Sequence, residues 1–214
     1  FGWHKYTGPW IFASCVLAVA FVNISLRLRP DPLVVSGGVR EKGGEKLPSI
    51  PRTLGIITAT PKGKLALSSM VVSQVTMVAV MTMTPVHMKL HGHEGISQYV
   101  VSLHIAGMYA FSPIFGWLAD KFGKIKTVLL GQTIYVAALL FAGIGMENEQ
   151  SVLLGLFLLG LGWSASTVSA SALLSSSLPA EQKTNVQGMS DSLMNLSGAL
   201  GGAVAGSIMA ALMF

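Results

Sequence analysis

The sequence is short of charge for its length, because only 11% of its 214 residues are Asp, Glu, Lys or Arg. A soluble domain usually carries about 25% charged residues, since water must wet its surface. Cysteine is nearly absent too, and the single Cys15 excludes an internal disulfide framework and a multi-cysteine metal site. The sequence contains no nucleophile elbow, phosphate-binding loop or metalloprotease helix, so nothing in it indicates an enzyme or a bound cofactor.

Apolar residues dominate instead, at 51% of the sequence, and they are concentrated in six long stretches. A membrane-spanning helix needs roughly 20 mostly apolar residues to cross the hydrocarbon core. His104 and Asp191 are the only residues of the Asp, Glu, Lys, Arg and His types inside these stretches. The sequence therefore predicts an all-α, polytopic transmembrane helix bundle, solvated by the lipid bilayer. Its six spans are expected at about residues 8–26, 65–86, 96–118, 127–145, 151–178 and 186–212.

Lysine and arginine mark one side of the predicted bundle. Of the 14 Lys and Arg residues, all but Lys5 and Lys89 fall between the first and second, third and fourth, or fifth and sixth spans. Basic loops stay in the cytoplasm, so this asymmetry predicts a multi-pass protein of the cytoplasmic membrane. The first span would enter the cytoplasm, the last would leave it, and the loop 87–95 would face outward.

Residues 29–64 are predicted to be a flexible cytoplasmic linker. It would join a first helix, residues 1–28, to a bundle of five spans, residues 65–214. Arg-Pro-Asp-Pro at 29–32 ends the first helix because proline lacks an amide hydrogen. Glycine pairs, Pro48 and Pro51 then disfavour regular structure. No aromatic residue is interleaved with the basic charge of the linker, so no nucleic-acid partner is predicted.

The loop after the third span contains a charged motif, Gly-Trp-Leu-Ala-Asp-Lys-Phe-Gly-Lys-Ile-Lys at residues 116–126. Asp120 falls at the C-terminal end of a predicted helix, where the helix dipole disfavours an anion. This carboxylate therefore needs a partner, such as Lys121 or Lys124 or the amide-rich start of a neighbouring helix. The arrangement predicts a cytoplasmic latch between helices that is made and broken as the bundle moves.

Two glycines of the motif have separate expected roles. Gly116 would let another helix approach closely, and Gly123 would permit the tight reversal into the fourth span. At this point the pattern resembles the signature loop of the major facilitator superfamily. The matching positions are Gly116, Leu118, Ala119, Asp120, Lys121, Gly123 and Lys124. Ile125 departs from the second basic position of that signature, and Lys126 supplies the charge one residue later.

The resemblance implies a transporter with two six-helix halves joined by a long cytoplasmic loop. If residues 29–64 are that loop, residues 1–28 are the last helix of the N-terminal half and residues 65–214 are five spans of the C-terminal half. A competing register makes spans two to six the first five helices of the N-terminal half. Two absences oppose this competing register. In it the fifth span would be the fourth helix, which in drug exporters of the family usually carries an arginine, and this span has none. The sixth span would be their fifth helix, and it lacks the expected glycine-proline pair. We expect an incomplete bundle, whose N-terminal helical half is missing.

Four polar residues inside the spans are candidates for a substrate or proton path: Gln74, His104, Asp191 and Asn195. Ionisable groups inside a membrane are costly and often functional, and a buried amide needs a partner. Asp191 and Asn195 share one helix face with Gln187. Structural alternatives remain open, namely a neutral histidine bonded to a neighbouring hydroxyl and a carboxylate that caps or latches the helix end.

Small residues repeat along the sixth span, at Gly198, Gly202 and Gly206. Glycines spaced by four residues let two helices pack closely, so a packing role is predicted for them.

The outer loop contains several residues of metal-ligating types, His87, His91, His93 and Glu94. Zinc or copper could use such ligands. A flexible loop without a second ligand set is weak evidence, and no metal site is predicted.

Taken together, the residues and the resemblance predict a secondary transporter without enzymatic activity. The expected function is proton-coupled export of small amphipathic compounds by alternating access, with the proton as coupling ion. Uptake of a nutrient by the same kind of carrier is one alternative. A membrane scaffold or sensor without transport is the other.

Overall fold

The computed structural model describes residues 7–30, 35, 49–90, 92, 94–144 and 148–212. Among them only helices and turns occur, so the prediction of an all-α protein is confirmed. The helices are α1 (Thr7–Arg27), α2 (Ile50–Thr58), α3 (Pro61–Leu90), a short 3₁₀ helix (Glu94–Ile96), α4 (Ser97–Tyr109), α5 (Ser112–Phe122), α6 (Lys124–Ile144), α7 (Glu149–Ser176) and α8 (Ala180–Leu212). The chain divides into two compact units, Phe1–Lys46 and Leu47–Phe214.

Six helical segments in the described part of the chain are long and apolar enough to cross a bilayer, as the sequence predicts. They are Trp10–Arg27, Pro61–Leu90, Ser97–Phe122, Lys124–Ile144, Glu149–Ser176 and Gln182–Ala211. In the first unit, α1 exposes large apolar side chains around its circumference, including those of Trp10, Phe12 and Leu17. Lipid tails are the solvent that such a helix requires.

The second unit is organised around α7, which packs against α3, α4, α5 and α6. Its neighbour in sequence, α8, packs mainly on α3 and has few contacts with α7. A buried apolar cluster that includes Met70, Val128, Leu174 and Val186 joins α3, α6, α7 and α8. This arrangement leaves α7 and α8 apart along much of their length.

Glycine allows α7 to approach its neighbours at backbone distance. A Cβ atom at Gly107 on α4 would lie 2.9 Å from the carbonyl oxygen of Phe157 on α7. A Cβ atom at Gly160 on α7 would collide with the carbonyl oxygen of His104 on α4. On the other side of α7, Gly131 of α6 lies equally close to Ser166. Such small-residue contacts are the usual means of helix association in lipid.

The third span is broken into two helices, which the sequence analysis did not predict. A turn at residues 110 and 111 separates α4 from α5. Pro113 cannot donate a hydrogen bond to the carbonyl of Tyr109 and disfavours helix at the preceding residue. The hydroxyl of Ser112 donates instead to the carbonyl of Met108 at 2.8 Å, which satisfies one acceptor at the break.

The predicted irregular structure of residues 29–64 is wrong at the C-terminal end of that segment. Residues 50–58 form α2, and α3 begins at Pro61. Pro51 lies in the first turn of α2, where a missing amide hydrogen costs nothing and the fixed φ favours a helix. Thr53 and Ile57 are buried, and α2 packs on α3 and α8. The cytoplasmic placement of the linker stays a prediction.

The close contact of α4 with α7 leads to a stability prediction. Gly160→Ala should lower the free energy of unfolding by about 1–3 kcal/mol, because the added Cβ meets backbone atoms that cannot rotate away. Unfolding of the purified chain in mixed detergent micelles, followed by circular dichroism, measures this loss.

Gly143→Ala on α6 is the matched control, since no described atom lies within 4 Å of a Cβ at that position. Its effect should stay within about 0.5 kcal/mol. Equal losses in the two variants would show that the loss in Gly160→Ala does not come from the close approach of the α4 and α7 backbones.

Candidate functional site

A cleft of about 870 Å³ opens between α7 and α8, and residues on either side of the break between α4 and α5 line one end of it. From Trp163 to Ser175 it follows α7 for roughly 18 Å, at about 1.5 Å per residue. Polar and aromatic side chains line it: Tyr109, Ser112, Trp163, Thr167, Ser171, Ser175, Thr184 and Gln187. Lys183 is its one lysine or arginine, and no carboxylate is among the described lining residues. We call it the α7–α8 cleft.

One end of the α7–α8 cleft is aromatic. The rings of Tyr109 and Trp163 meet edge to face, with centroids 6.0 Å apart and an interplanar angle of 62°. Trp163 Nε1 donates to Gln74 Oε1 at 2.9 Å. Gln74, only 9% exposed, is thereby paired across the α3–α7 contact. In this structure Gln74 orients the indole of Trp163, which lines the cleft, but Gln74 is not itself among the lining residues.

The other end of the α7–α8 cleft is built from hydroxyl and amide groups. Ser171 on α7 donates to Gln187 Oε1 on α8 at 3.1 Å, and Gln187 Nε2 donates to Asp191 Oδ1 at 2.9 Å. Asp191 is therefore connected to the cleft through Gln187. Asn195 is exposed and bonds back to the Asp191 carbonyl of its own helix at 2.8 Å.

Thr167 adds an unused polar group to the wall between these two ends. Its hydroxyl is buried and bonds to no group in the described part of the chain.

His104 lies in the α4–α7 contact and not in the α7–α8 cleft. Its side chain is 1% exposed, and Nδ1 is 2.9 Å from the carbonyl oxygen of Leu156. Because a carbonyl only accepts, Nδ1 carries the hydrogen and Nε2 is left as an acceptor. Nε2 has no hydrogen-bond partner among the described residues. None of the four sequence-predicted path residues is among the described lining of the α7–α8 cleft. Gln74 and Asp191 each bond to a lining residue, whereas His104 lies in another helix contact and Asn195 is exposed.

The motif at residues 116–126 lies at the end of the bundle where α5 ends and α6 begins. Asp120 is exposed, and it forms no ion pair with any lysine or arginine that the structure describes. Lys121 extends over the ring of Trp117 instead, with Nζ 4.6 Å from the ring centroid. Lys124 lines the same small cleft as Asp120. The ion pair that the predicted latch requires is therefore not formed among the described residues, and the latch stays a prediction.

The other residues of the motif have mixed outcomes. Gly123 adopts a φ of 102° at the end of α5, a backbone conformation that favours glycine. Leu118 is half-buried on α5. The described residues make no close helix approach at Gly116, since none of their atoms lies within 4 Å of a Cβ there, and this role stays a prediction. This side of α5 is not covered by another described helix.

The glycine repeat of α8 lies against α3. A Cβ atom would lie 2.8 Å from Gln74 Cγ if placed at Gly198, and 3.0 Å from a Val78 methyl if placed at Gly202. At Gly206 the nearest described atom, Met83 Cε, is at an ordinary 3.6 Å. The first two glycines therefore let α8 approach α3 closely.

Sequence reasoning missed a buried polar network on the inner faces of α3, α6 and α7. Gln132 Nε2 donates to the hydroxyls of Ser73 and Ser166, each at 3.1 Å. Tyr135 donates to the Ser73 carbonyl at 2.8 Å. An amide inside a predicted span was the available signal for Gln132, the same signal that identified Gln74.

Residues 87–90 of the predicted outer loop belong to α3, and residues 94 and 95 belong to the 3₁₀ helix, whereas His91 and His93 lie outside the described residues. No group of three His, Cys, Asp or Glu side chains that could hold a metal ion occurs in the described part.

Six helices long and apolar enough to span a bilayer define a multi-pass integral membrane protein. The chain belongs to the Major Facilitator Superfamily, whose family model matches residues 1–202. The family and the relatives below are transporters and not enzymes. No solved structure matches the chain significantly.

Three relatives are informative. The chain is 39% identical to the uncharacterized MFS-type transporter YddS of Bacillus subtilis (strain 168), over 98% of this chain and 49% of that protein. It is 37% identical to YdeG of the same organism, with the same coverage of 98% and 49%. Identity to the riboflavin transporter RfnT of Brucella anthropi is 27%, over 93% of this chain and 47% of that protein. The chain spans about half the length of the curated relatives it matches.

The bond between Gln74 and Trp163 yields a second prediction. Gln74→Leu should lower the free energy of unfolding by about 1 kcal/mol or more, because the indole N–H loses its acceptor in a partly buried position. In a double-mutant cycle with Trp163→Phe, we expect a coupling free energy between about 0.5 and 1.7 kcal/mol.

The control cycle pairs Trp163→Phe with Gln132→Leu, an amide that bonds to Ser73 and Ser166 and not to the indole. These two changes should be additive within about 0.5 kcal/mol. Coupling of equal size in both cycles would show that the measured value does not come from the Gln74 hydrogen bond.

Proposed function

We propose that this chain supplies part of a secondary transporter that exports small amphipathic compounds, driven by the proton gradient. The α7–α8 cleft is the observation that carries the proposal. It offers an aromatic end at Tyr109 and Trp163 for an apolar group and a hydroxyl and amide end at Ser171 and Gln187 for a polar one. An amphipathic molecule has these two kinds of surface, and a pocket with a few placed polar groups suits it.

Alternating access requires two opposed helical bundles around one site. We propose that residues 65–214 belong to the C-terminal bundle, that residues 1–28 are the last helix of an N-terminal half, and that 29–64 are the cytoplasmic linker. The basic residues on one side of the spans support this orientation in the cytoplasmic membrane. The α7–α8 cleft would then be the contribution of this half to the transport route.

The motif residues supply the proposed cytoplasmic latch. Asp120 is unpaired with any described basic residue here, while Lys124 lines the same small cleft and Lys121 lies over Trp117. A latch must be open in one state of the transporter and closed in another. The arrangement supports a role in which Lys124, or Lys121 after leaving the indole, pairs with Asp120 in the second state.

A specific comparison favours one alternative. The relative RfnT is named a riboflavin transporter, and riboflavin is itself amphipathic, with a flat ring system and a polyhydroxyl chain. The aromatic and hydroxyl ends of the α7–α8 cleft fit uptake of such a nutrient as well as export of other compounds. A scaffold without transport activity would show neither uptake nor export.

Transport assays separate these functions. The gene should be expressed with its flanking coding sequence, and ethidium and riboflavin followed by fluorescence in everted and right-side-out membrane vesicles. Export predicts accumulation of ethidium in everted vesicles that a protonophore abolishes. Accumulation of riboflavin in right-side-out vesicles alone would establish uptake, and the absence of both fluxes would contradict the transporter proposal for these compounds.

The latch gives a prediction for Asp120. Asp120→Asn should lower the initial transport rate about fivefold or more, as expected from the loss of roughly 1 kcal/mol of ion pairing in one state. Membrane insertion, measured by the amount of protein in the membrane fraction, should not change. Asp120→Glu keeps the charge and serves as the control. Full transport activity of the Asn variant would remove Asp120 from the latch.

His104 provides a test of proton coupling. In His104→Asn the amide can donate to the Leu156 carbonyl as Nδ1 does, but no proton can be taken up at the position of Nε2. If His104 belongs to the proton path, gradient-driven transport should fall at least about tenfold, as for loss of a proton-transferring group.

Exchange of labelled substrate across vesicles without a pH gradient should continue in the same variant. Loss of both activities would indicate a structural role for His104 in the α4–α7 contact. Unchanged gradient-driven transport would exclude it from the proton path.

A further inference from the structure

A second cleft lies at one end of the bundle, where α3 begins, α5 ends, α6 begins and α7 ends. Its volume is about 510 Å³, and Lys62, Lys124 and Lys126 line it together with Asp120. Three lysines and one aspartate therefore line a single concavity. Lys124 is half-buried in this cleft, and the other two lysines are exposed. We call it the lysine cleft.

The lysine cleft lies at the level where the spans leave the membrane, because four of them begin or end around it. Exposed aromatic rings mark the same level. Trp117 is 54% and Phe122 is 55% exposed on α5, and their rings meet edge to face at a centroid distance of 6.1 Å. Tryptophan and other aromatic residues concentrate at the height of the lipid headgroups. The ammonium groups of the cleft are thus within reach of that layer.

The backbone adds to the positive charge of the lysine cleft. The amides of residues 124–126 form the first turn of α6, a helix of 21 residues, and so lack acceptors within the helix. The positive end of the helix dipole lies at the same turn. Helix starts of this kind bind phosphate, and here three lysines surround the start.

Apolar side chains complete the wall of the lysine cleft. Phe122, Ile125 and Leu173 line it beside the ammonium groups. A free phosphate ion would gain nothing from these side chains, whereas the glycerol and first acyl carbons of a lipid could pack on them. Basic pockets between membrane helices on the side with excess positive charge are typical of anionic headgroup recognition.

We infer that the lysine cleft binds a phosphate group, and that this phosphate is the headgroup of an anionic lipid. Lys62 on α3 and Lys124 and Lys126 on α6 bind the phosphate, and the first-turn amides of α6 contribute hydrogen bonds. A bound headgroup joins the ends of two helices that the sequence separates by about 60 residues. The inference depends on neither the substrate nor the direction of transport.

The test measures lipid binding to the full chain in detergent micelles by native mass spectrometry. Phosphatidylglycerol should bind more tightly than phosphatidylcholine, which carries a phosphate but no net charge. The Lys62→Gln/Lys124→Gln/Lys126→Gln variant should bind phosphatidylglycerol about a hundredfold more weakly, at about fivefold for each lysine lost.

A matched variant controls for general electrostatic attraction. Lys64→Gln/Lys89→Gln/Lys183→Gln removes the same charge from three exposed lysines outside the lysine cleft, and it should keep nearly full affinity. Equal losses in the two triple variants, or equal affinity for the two lipids, would overturn the inference. If the cleft variant does not fold, Lys126→Gln alone changes an exposed residue and should still weaken binding about fivefold.

Inorganic phosphate distinguishes the two sources of the group. Competition by phosphate only at concentrations far above those of the lipid supports the lipid headgroup as the natural occupant. Binding of phosphate to the lysine cleft without binding of phosphatidylglycerol would overturn the assignment to a lipid.

Discussion

Lipid tails are as apolar as leucine, so the helices of this chain gain little hydrophobic free energy by touching one another. Their association depends on backbone approach and on hydrogen bonds between helices. At the α4–α7 contact, Gly107 and Gly160 bring two backbones to distances at which a single methyl group would collide. Gly131 provides the same closeness between α6 and α7. The central position of α7 follows from these contacts, and the place of every other helix in the second unit depends on it.

Polar side chains inside the second unit connect one helix to another. Gln132 joins α6 to α3 and α7, and Gln74 joins α3 to the indole of Trp163 on α7. Water is not available in the hydrocarbon core, so an unpaired amide there would be costly. The same bonds hold the aromatic end of the α7–α8 cleft in place. Since α8 packs on α3 instead of α7, the space between α7 and α8 remains open to a ligand.

Apart from Asp191, the Lys, Arg, Asp and Glu residues of the described spans lie near the ends of these helices, because ionised groups are expensive within the bilayer. At one end the charged residues are arranged as a lysine cleft with a single carboxylate, Asp120. The α7–α8 cleft has hydroxyl and amide groups along its wall and Lys183 as its one lysine or arginine. Substrate recognition would therefore use mainly hydroxyl and amide groups, whereas the contacts at the helix ends would use charged groups. The proposed latch and the proposed headgroup site share Lys124, so pairing of this lysine with Asp120 and with a phosphate would compete.

The sequence by itself determined the lipid solvent, the six spans and the family, because hydropathy and the motif at residues 116–126 are properties of contiguous residues. The sequence did not determine α2, since a proline such as Pro51 can either break a helix or start one. The burial of Thr53 and Ile57 against α3 and α8 decides that it starts one here. Nor did the sequence separate His104 from the α7–α8 cleft, because the face that a spanning residue presents depends on which helix packs beside it. Contacts between residues far apart in the chain, such as Gly160 with His104, were decided only by the tertiary structure, because no local pattern records the distance between two helices.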